Sequence, residues 1–226
     1  MANILTTHFS YTLAKPILSK CPLIIFGSNA WKNYILKASL LQKQKWFGLY
    51  MAIINPSRIT IRPFKESDID DVLLWLGDER VTENTRLETC NTKKEALDFI
   101  TNECIYPIRQ SICLDDHSIG MVWILPHAND EKHKADLGYA IGFNYWGQGI
   151  ATNAVRILLS KVFHEFPDLR RLQAFTVLEN IASQRVLEKV GFYREGMLRK
   201  VFYFKGNFVD FYIFSFLWTD EIPSVV

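Results

Sequence analysis

The stretch Tyr145–Thr152, YWGQGIAT, is the most informative part of this chain. It follows the strand-like run 135–141 and precedes a predicted helix with one apolar face. That face comprises Val155, Leu158, Leu159, Val162, Phe163 and Phe166. The open N-terminus of a helix presents unpaired N–H groups and a positive dipole end to phosphate oxygens, and Gly147 and Gly149 place no side chain in the way. The pattern predicts a strand-loop-helix unit that either binds a pyrophosphate or forms an ordinary turn.

The spacing excludes two common nucleotide-binding motifs. The stretch lacks the third glycine and distant acid of a dinucleotide site, and no Gly-Lys-Ser or Gly-Lys-Thr follows it. A second informative stretch, Asn180–Phe192 (NIASQRVLEKVGF), begins where the strand-like run 172–178 ends. Its position after the glycine loop favours a different carrier of pyrophosphate.

Together, the Gly-x-Gly-Ile-Ala loop and the Asn-x-x-Ser helix that closes with Glu-Lys-x-Gly-Phe resemble the GNAT acyltransferase superfamily. The run Arg58–Phe64 (RITIRPF), with Asp68 after it, resembles the first strand and helix start of its ribosomal-protein N-acetyltransferase-like branch. Within that branch the sequence is most similar to uncharacterised plant GNAT-domain proteins. The resemblance implies an α/β (α+β) fold, in which helices flank a mixed, mostly antiparallel central sheet. Two splayed central strands of that sheet form an acyl-CoA cleft.

The same resemblance implies acetyl-CoA as the co-substrate and no metal. It assigns the pantetheine arm to Ile141, Gly142 and Phe143, the pyrophosphate to Gly147, Gln148, Gly149, Ile150, Ala151 and Thr152, and the thioester end to the side chain of Asn180. Asn180 is also in place to cap the following helix. Trp146 occupies a slot where many members carry Gln or Arg, so we expect backbone N–H groups to supply the phosphate contacts.

Acyl transfer from a thioester to an amine needs a neutral amine and a proton for the departing thiolate. Asp136 resembles the superfamily's base position and is either the base or a structural carboxylate; Asp210 is the second candidate base. Ser183 matches the serine of Asn-x-x-Ser and is either the acid or a residue of the first helical turn. Two catalytic groups that are common in the superfamily are missing here. Leu187 occupies the position of the usual tyrosine acid, and Phe202 occupies the position of the glutamate base of the ribosomal-type branch.

The weak set of bases bears on the acceptor. A lysine amine has a reference pKa of about 10.4, whereas an α-amine lies near 8 and needs less help to become neutral. We therefore predict an N-acetyltransferase that acts on a protein N-terminal α-amine. The alternatives are an acetyltransferase for a small amine, such as a polyamine or arylalkylamine, and a non-catalytic acyl-CoA-binding module. The oligomeric state is left open.

The charge of the chain is uneven. Residues 1–65 carry nine Lys or Arg and no acid, which leaves 17 basic against 24 acidic residues afterwards, a net charge of −7. An acidic domain argues against a nucleic-acid partner and attracts cationic amines. We divide the chain into a basic, acid-free extension (1–57), the acetyltransferase domain (58–218) and a tail (219–226).

The extension is either an organelle transit peptide or an upstream stretch that precedes Met51. Its apolar run, Cys21–Phe26, is too short to span a membrane, so we expect no transmembrane helix. The chain's cysteines show neither metal-type pairs nor a disulfide framework, which favours the cytoplasm, or the plastid if the extension is a transit peptide. His127 and His133 are expected to be exposed loop residues and not ligands, because the run around them is polar.

Coarser patterns predict the remaining elements. One helix starts near Ser67 and stops at Gly77, and a second spans 92–103. The runs 111–114 and 119–125 predict a hairpin. A final, mostly buried hairpin is expected over 198–204 and 208–218.

Overall fold

Seven strands form one sheet in the order β1-β2-β3-β4-β5-β7-β6. The strands are β1 Ile59–Arg62, β2 Arg109–Leu114, β3 His117–Pro126, β4 Lys134–Ile141, β5 Arg171–Val177, β6 Tyr193–Phe204 and β7 Asn207–Leu217. Every neighbouring pair is antiparallel except β4 and β5, which are parallel. The mixed, mostly antiparallel sheet expected from the sequence is confirmed.

The structure, a computed structural model, describes residues 55–224, which belong to a unit that spans Ala52–Val226. The predicted extension lies almost wholly outside the described residues, as does the end of the predicted tail. The three domain boundaries therefore stay predictions. Among residues 55–224, no helix is both long and apolar enough to cross a bilayer.

Between residues 55 and 224, five α-helices accompany the sheet. They are α1 Ile69–Leu76, α2 Glu79–Thr82, α3 Lys93–Asp98, α4 Ile150–Glu165 and α5 Ile181–Lys189. A π-helical segment, Phe99–Glu103, continues α3, so the two together fill the predicted helix 92–103. Helix α3 begins where expected because the Thr92 hydroxyl accepts from the Glu95 N–H at 3.2 Å.

Helix α1 starts later than the sequence pattern suggests. A 3-10 turn, Glu66–Asp68, comes first, and its buried Asp68 carboxylate receives two hydrogen bonds from Arg62, at 2.7 and 2.9 Å. This buried pair fixes the turn against β1 and delays the helix by a few residues. The helix ends at Gly77, as predicted.

Apolar clusters cover both faces of the sheet, as the alternation along β4 shows. Ala135, Leu137 and Ile141 belong to the larger cluster, which includes the apolar side of α4 and Leu187 of α5. Ala140 belongs to a second cluster with α1 and the α3 region. We call these two sides of the sheet the α4 face and the α1 face.

The parallel strands β4 and β5 separate soon after they meet. They pair only at Lys134–Arg171, Ala135–Leu172 and Asp136–Gln173. Beyond these pairs β4 continues to Ile141 and β5 to Val177, so the facing backbone edges of both strands are open. The expected splay of two central strands is present.

The last hairpin differs from the prediction in two respects. Strand β6 begins at Tyr193 and not at the predicted Leu198. A bulge between Leu198 and Phe202 divides this longer strand into two paired segments. The prediction of a mostly buried hairpin is wrong at the tip, where Tyr203 is 67% and Phe208 62% exposed. The two rings pack on each other, with centroids 5.2 Å apart, and not on the core.

Candidate active site

A cleft of about 1160 Å³ opens where β4 and β5 separate. Its walls come from both strands, the glycine loop, the first turns of α4 and α5, the loop after α2, and the β6–β7 hairpin. Elements that are distant in the sequence therefore meet at one gap in the sheet.

The glycine loop is suited to bind an anion. Gly147 and Gly149 have φ of +74° and +76°, and a Cβ at either position would project into open space. Gly149 caps α4 without a side chain, and the first N–H of this helix to bond backward is that of Asn153, to the Gly149 carbonyl. Within the described residues, the N–H groups of Gly147–Thr152 have no hydrogen-bond partner. These free donors at a helix N-terminus suit phosphate oxygens.

Most of the predicted cofactor residues line this cleft. They are Ile141, Gly147, Gly149, Ile150, Ala151, Thr152 and Asn180.

Three others do not line it. Gly142 directly follows β4, and its N–H donates to the Ile119 carbonyl at 2.8 Å. The Phe143 ring turns to the surface under the Arg80 guanidinium, 3.5 Å from its centroid. The Gln148 side chain donates to the Asn144 carbonyl at 2.9 Å, so it is held by the loop itself.

Trp146 is a structural part of the loop. Its indole Nε1 donates to the Ile141 carbonyl at 2.6 Å and so joins the loop to the end of β4. No side chain replaces the Gln or Arg of other family members at this slot. Instead, Arg185 and Lys189 of α5 line the cleft and bring positive charge to it. We did not identify these two from the sequence, although their i, i+4 spacing places them on one side of the helix.

The start of α5 holds two of the predicted site residues. The Asn180 side chain caps the helix by accepting from the Ser183 N–H at 3.0 Å, so its capping role is present. The Ser183 hydroxyl lies 2.8 Å from the hydroxyl of Tyr139, which reaches it from β4. Burial raises the pKa of Tyr139 well above its usual range, so the phenol stays protonated. Tyr139 was not singled out from the sequence, since a strand tyrosine gives no signal of its own.

Asp136 lies at the last β4–β5 pair and lines the cleft. Its Oδ1 receives hydrogen bonds from Gln173 Nε2 at 2.8 Å and from His127 Nε2 at 2.9 Å. Its Oδ2 has no partner among the described residues. The prediction of an exposed His127 is wrong, because this ring is half-buried between Asp136 and Glu131; His133 is exposed, as expected.

Both nitrogens of the His127 ring face carboxylates. Nδ1 lies 3.3 Å from Glu131 Oε2, and only the doubly protonated ring donates to both acids. The hydrogen bond to Asp136, and secondarily that to Glu131, raises the pKa of His127 despite partial burial. The two carboxylates therefore favour the charged form of His127.

Asp136 and Ser183 approach the cleft from opposite faces of the sheet. Asp136 alternates along β4 with residues of the larger cluster, so it lies on the α1 face. Tyr139 packs against that larger cluster, and its hydroxyl bonds Ser183 on the α4 face. The gap between β4 and β5 connects the two sides.

The α1 side of the cleft has an aromatic wall. The Phe175 and Phe202 rings meet edge to face at 5.1 Å, and Phe202 and Phe211 at 5.2 Å. The Arg86 guanidinium covers Phe202 at 4.3 Å from the ring centroid. All four residues line the cleft.

Asp210, the second candidate base, does not line the cleft. Its Oδ1 accepts from the Lys200 N–H at 2.8 Å, where Lys200 has a φ of +51° within the β6 bulge. Asp210 thus supports the bulge. Among residues 55–224, no cluster of three His, Cys, Asp or Glu side chains is arranged to hold a metal ion.

The family model described as "Acetyltransferase (GNAT) domain" matches residues 58–193. The uncharacterised N-acetyltransferase p20 of Bacillus licheniformis is 28% identical over 178 residues, which cover 74% of this chain and 97% of that protein.

Two solved structures share the fold. A GNAT-family acetyltransferase from Bacillus anthracis superposes with a TM-score of 0.63 at 25% identity and covers 73% of this chain and 97% of its own. The ribosomal-protein-S5-alanine acetyltransferase from Vibrio fischeri gives 0.61 at 21% identity, with coverage of 74% and 96%. These proteins are bacterial and give no support to the expected resemblance to plant proteins.

The residues of the cleft fit the co-substrate that the family uses. The free N–H groups of the loop and the two cations of α5 suit a pyrophosphate, and the open strand edges suit an extended amide-containing arm. The match to the family favours an enzyme over the non-catalytic binding module considered above. The chain belongs to the GNAT family and is an acetyl-CoA-dependent N-acetyltransferase.

Proposed function

We propose that this enzyme acetylates the α-amine of a protein N-terminus, with Asp136 as the base and Ser183 as the acid. The placement of these two residues on opposite faces of the sheet, at the same gap, carries the proposal. In acyl transfer the amine adds to the thioester carbonyl and loses a proton to the base, and the thiolate then leaves the tetrahedral intermediate and takes a proton from the acid. A base and an acid on opposite sides of the gap suit these two proton transfers.

A carboxylate base favours an α-amine as the acceptor. Gln173 and His127 both donate to Asp136 Oδ1, while Oδ2 is left to receive an ammonium proton directly or through water. At pH 7 about 10% of an α-amine is already neutral, against about 0.04% of a lysine amine. An acceptor amine with the lower pKa therefore needs less help from Asp136 to lose its proton.

The acid side is the Ser183–Tyr139 pair. The Ser183 hydroxyl donates a proton to the thiolate as the carbon–sulfur bond breaks, and the serine oxygen then takes a proton from water that enters the open cleft. The Tyr139 hydroxyl lies 2.8 Å from the Ser183 hydroxyl and orients it. Burial raises the pKa of Tyr139, so the phenol itself stays protonated throughout. Tyr139 takes the place of the absent tyrosine at Leu187.

The aromatic wall suits the first side chains of a peptide. Phe175, Phe202 and Phe211 offer an apolar surface on the base side of the gap. Arg86 has no acidic partner among the described residues, so its guanidinium is available to backbone carbonyls of an entering chain.

Acidic residues in the same cleft favour a second acceptor class, small cationic amines. Glu88, Asp98 and Glu103 line the cleft, although Glu103 pairs with Arg109 at 2.7 Å. A polyamine would gain from this charge. The Arg86 guanidinium, which covers Phe202 of the aromatic wall, repels such a cation, and this is why we place it second.

The proposed compartment is the cytoplasm, with the plastid as the alternative if the extension is a transit peptide. Free thiols at Cys90, Cys104 and Cys113 support a reducing compartment.

The test measures thiol release from acetyl-CoA by the full-length chain with three acceptors at equal concentration. These are a peptide with a free N-terminus, an N-blocked peptide with an internal lysine, and spermidine. We expect the highest kcat/KM for the free N-terminus at pH 7, and a smaller advantage over lysine at pH 9. A higher kcat/KM for spermidine at both pH values would contradict the proposed acceptor.

A further inference from the structure

One buried polar atom in the cleft lacks a partner. Thr176 is 4% exposed, and its hydroxyl makes no hydrogen bond within the described residues. Two other buried side-chain atoms share this condition, Arg156 Nε and Glu165 Oε2, but both belong to α4 residues that do not line the cleft. A buried hydroxyl without a partner is energetically unfavourable, so its position in a binding cleft points to a ligand.

Thr176 lies where a ligand would pass through the sheet. It follows the last β4–β5 pair, at Gln173, by three residues, so no strand covers β5 on that side. On its other side β5 stays paired with β7, where Thr176 is opposite Tyr212. Thr176 alternates with Phe175 and shares the α4 face with Leu172 and Ala174. It is thus on the same side of the gap as Ser183.

The residues around Thr176 favour an uncharged part of a ligand. Ala174, two residues before Thr176 on the same face of β5, is apolar and buried, as are Ile141 and Leu187 in the same cleft. The cations that suit phosphates, Arg185 and Lys189, lie instead on α5. A lone hydroxyl in an apolar wall pairs best with an uncharged donor or acceptor.

We propose that the Thr176 hydroxyl binds a neutral hydrogen-bonding group, an amide, of the pantetheine arm of acetyl-CoA. This inference rests on the proposed placement of acetyl-CoA in the cleft. Thr176 is then a binding residue that positions the arm from β5, opposite the open edge of β4. It holds the arm in the gap between the loop that suits the pyrophosphate and the Ser183 hydroxyl.

The test is Thr176→Val in the full-length chain, which removes the hydroxyl at nearly constant volume. Calorimetric titration with acetyl-CoA should show about 3- to 10-fold weaker binding, the effect of one neutral hydrogen bond. Binding of adenosine bisphosphate, the nucleotide end without the pantetheine arm, should be unchanged. Without ligand, the melting temperature should stay the same or rise, because the variant removes an unsatisfied polar atom.

Thr82→Val is the matched control. Thr82 is 1% exposed, but its hydroxyl lies 2.8 Å from that of Thr89. This variant should lower the melting temperature and leave acetyl-CoA affinity intact. Unchanged acetyl-CoA affinity in Thr176→Val, or equal losses for both ligands, would overturn the inference. Failure of the wild-type chain to bind acetyl-CoA would instead contradict the proposed function itself.

Discussion

The hydroxyls of Tyr139 and Ser183 lie 2.8 Å apart, although 44 positions separate the two residues in the sequence. Tyr139 also donates to the Ser183 carbonyl at 3.1 Å, which fixes the phenol against the first turn of α5. This contact joins β4 to the helix that follows β5, across the gap where the strands part. It gives the serine a protonated neighbour in a site that lacks the family's usual tyrosine.

The first prediction concerns this pair. Ser183→Ala should lower kcat about 100-fold with little change in the KM for acetyl-CoA, because the lost proton donor acts only as the thiolate leaves. Tyr139→Phe should lower kcat less, and the double variant should resemble Ser183→Ala, since the phenol acts through the serine. Steady-state kinetics measure both effects. Additive losses would show that the two hydroxyls act independently.

The second prediction concerns the ionisation of His127. The folded state favours its protonated form, so the His127–Asp136 pair stabilises the fold below the ordinary histidine pKa of about 6.5. This contribution is lost as the pH rises through the higher pKa of the folded state. NMR titration should give His127 a pKa above that of a free histidine.

Two variants separate the causes of that shift. Asp136→Asn should lower the His127 pKa strongly, because Asp136 supplies the largest contribution. Glu131→Gln, at the other ring nitrogen, should lower it less. The reverse order would show that the ring is oriented chiefly by Glu131.

The third prediction concerns the glycine loop. Gly149→Ala should destabilise the protein by about 1–2 kcal/mol, because an L-residue is strained at its positive φ, and should also weaken acetyl-CoA binding. Gly206→Ala is the control: its φ is +88° in the turn before β7, and its Cβ also meets open space. Thermal melts should show similar losses for both, while titration should show weaker binding for Gly149→Ala alone. Weaker binding in both variants would mean that the loss reflects general destabilisation.

The fourth prediction concerns the aromatic wall. Phe202→Leu removes the ring that contacts Phe175, Phe211 and Arg86. It should raise the KM for peptides with a large apolar first residue more than for a peptide that begins with glycine. The KM for acetyl-CoA should not change. Equal effects on both peptides would place the first side chain elsewhere.

The family, the co-substrate and most residues of the cleft that suits it could be predicted from the sequence. Short-range patterns carry this information. The glycine pair leaves backbone N–H groups free at the start of a helix, and the Asn of Asn-x-x-Ser caps a backbone N–H three residues later. Both effects arise within one short segment. The loop 147–152 and Asn180 could therefore be assigned to the cleft in advance. Gly142, Phe143 and the Gln148 side chain could not be placed, because their directions depend on contacts with Ile119, Arg80 and Asn144.

Which groups surround the reacting atoms depends on contacts between segments that are far apart in the sequence. His127 looked like a loop residue because its neighbours in the sequence are polar, yet the β3–β4 connection brings it to within 2.9 Å of Asp136. The roles of Tyr139 and Thr176 depend on the separation of β4 and β5 after Asp136. In that gap the Tyr139 hydroxyl is paired with Ser183, whereas the Thr176 hydroxyl has no partner among the described residues. Periodicity assigns a residue to a strand. The partner of its side chain is set by sheet order and register, which depend on packing between distant segments.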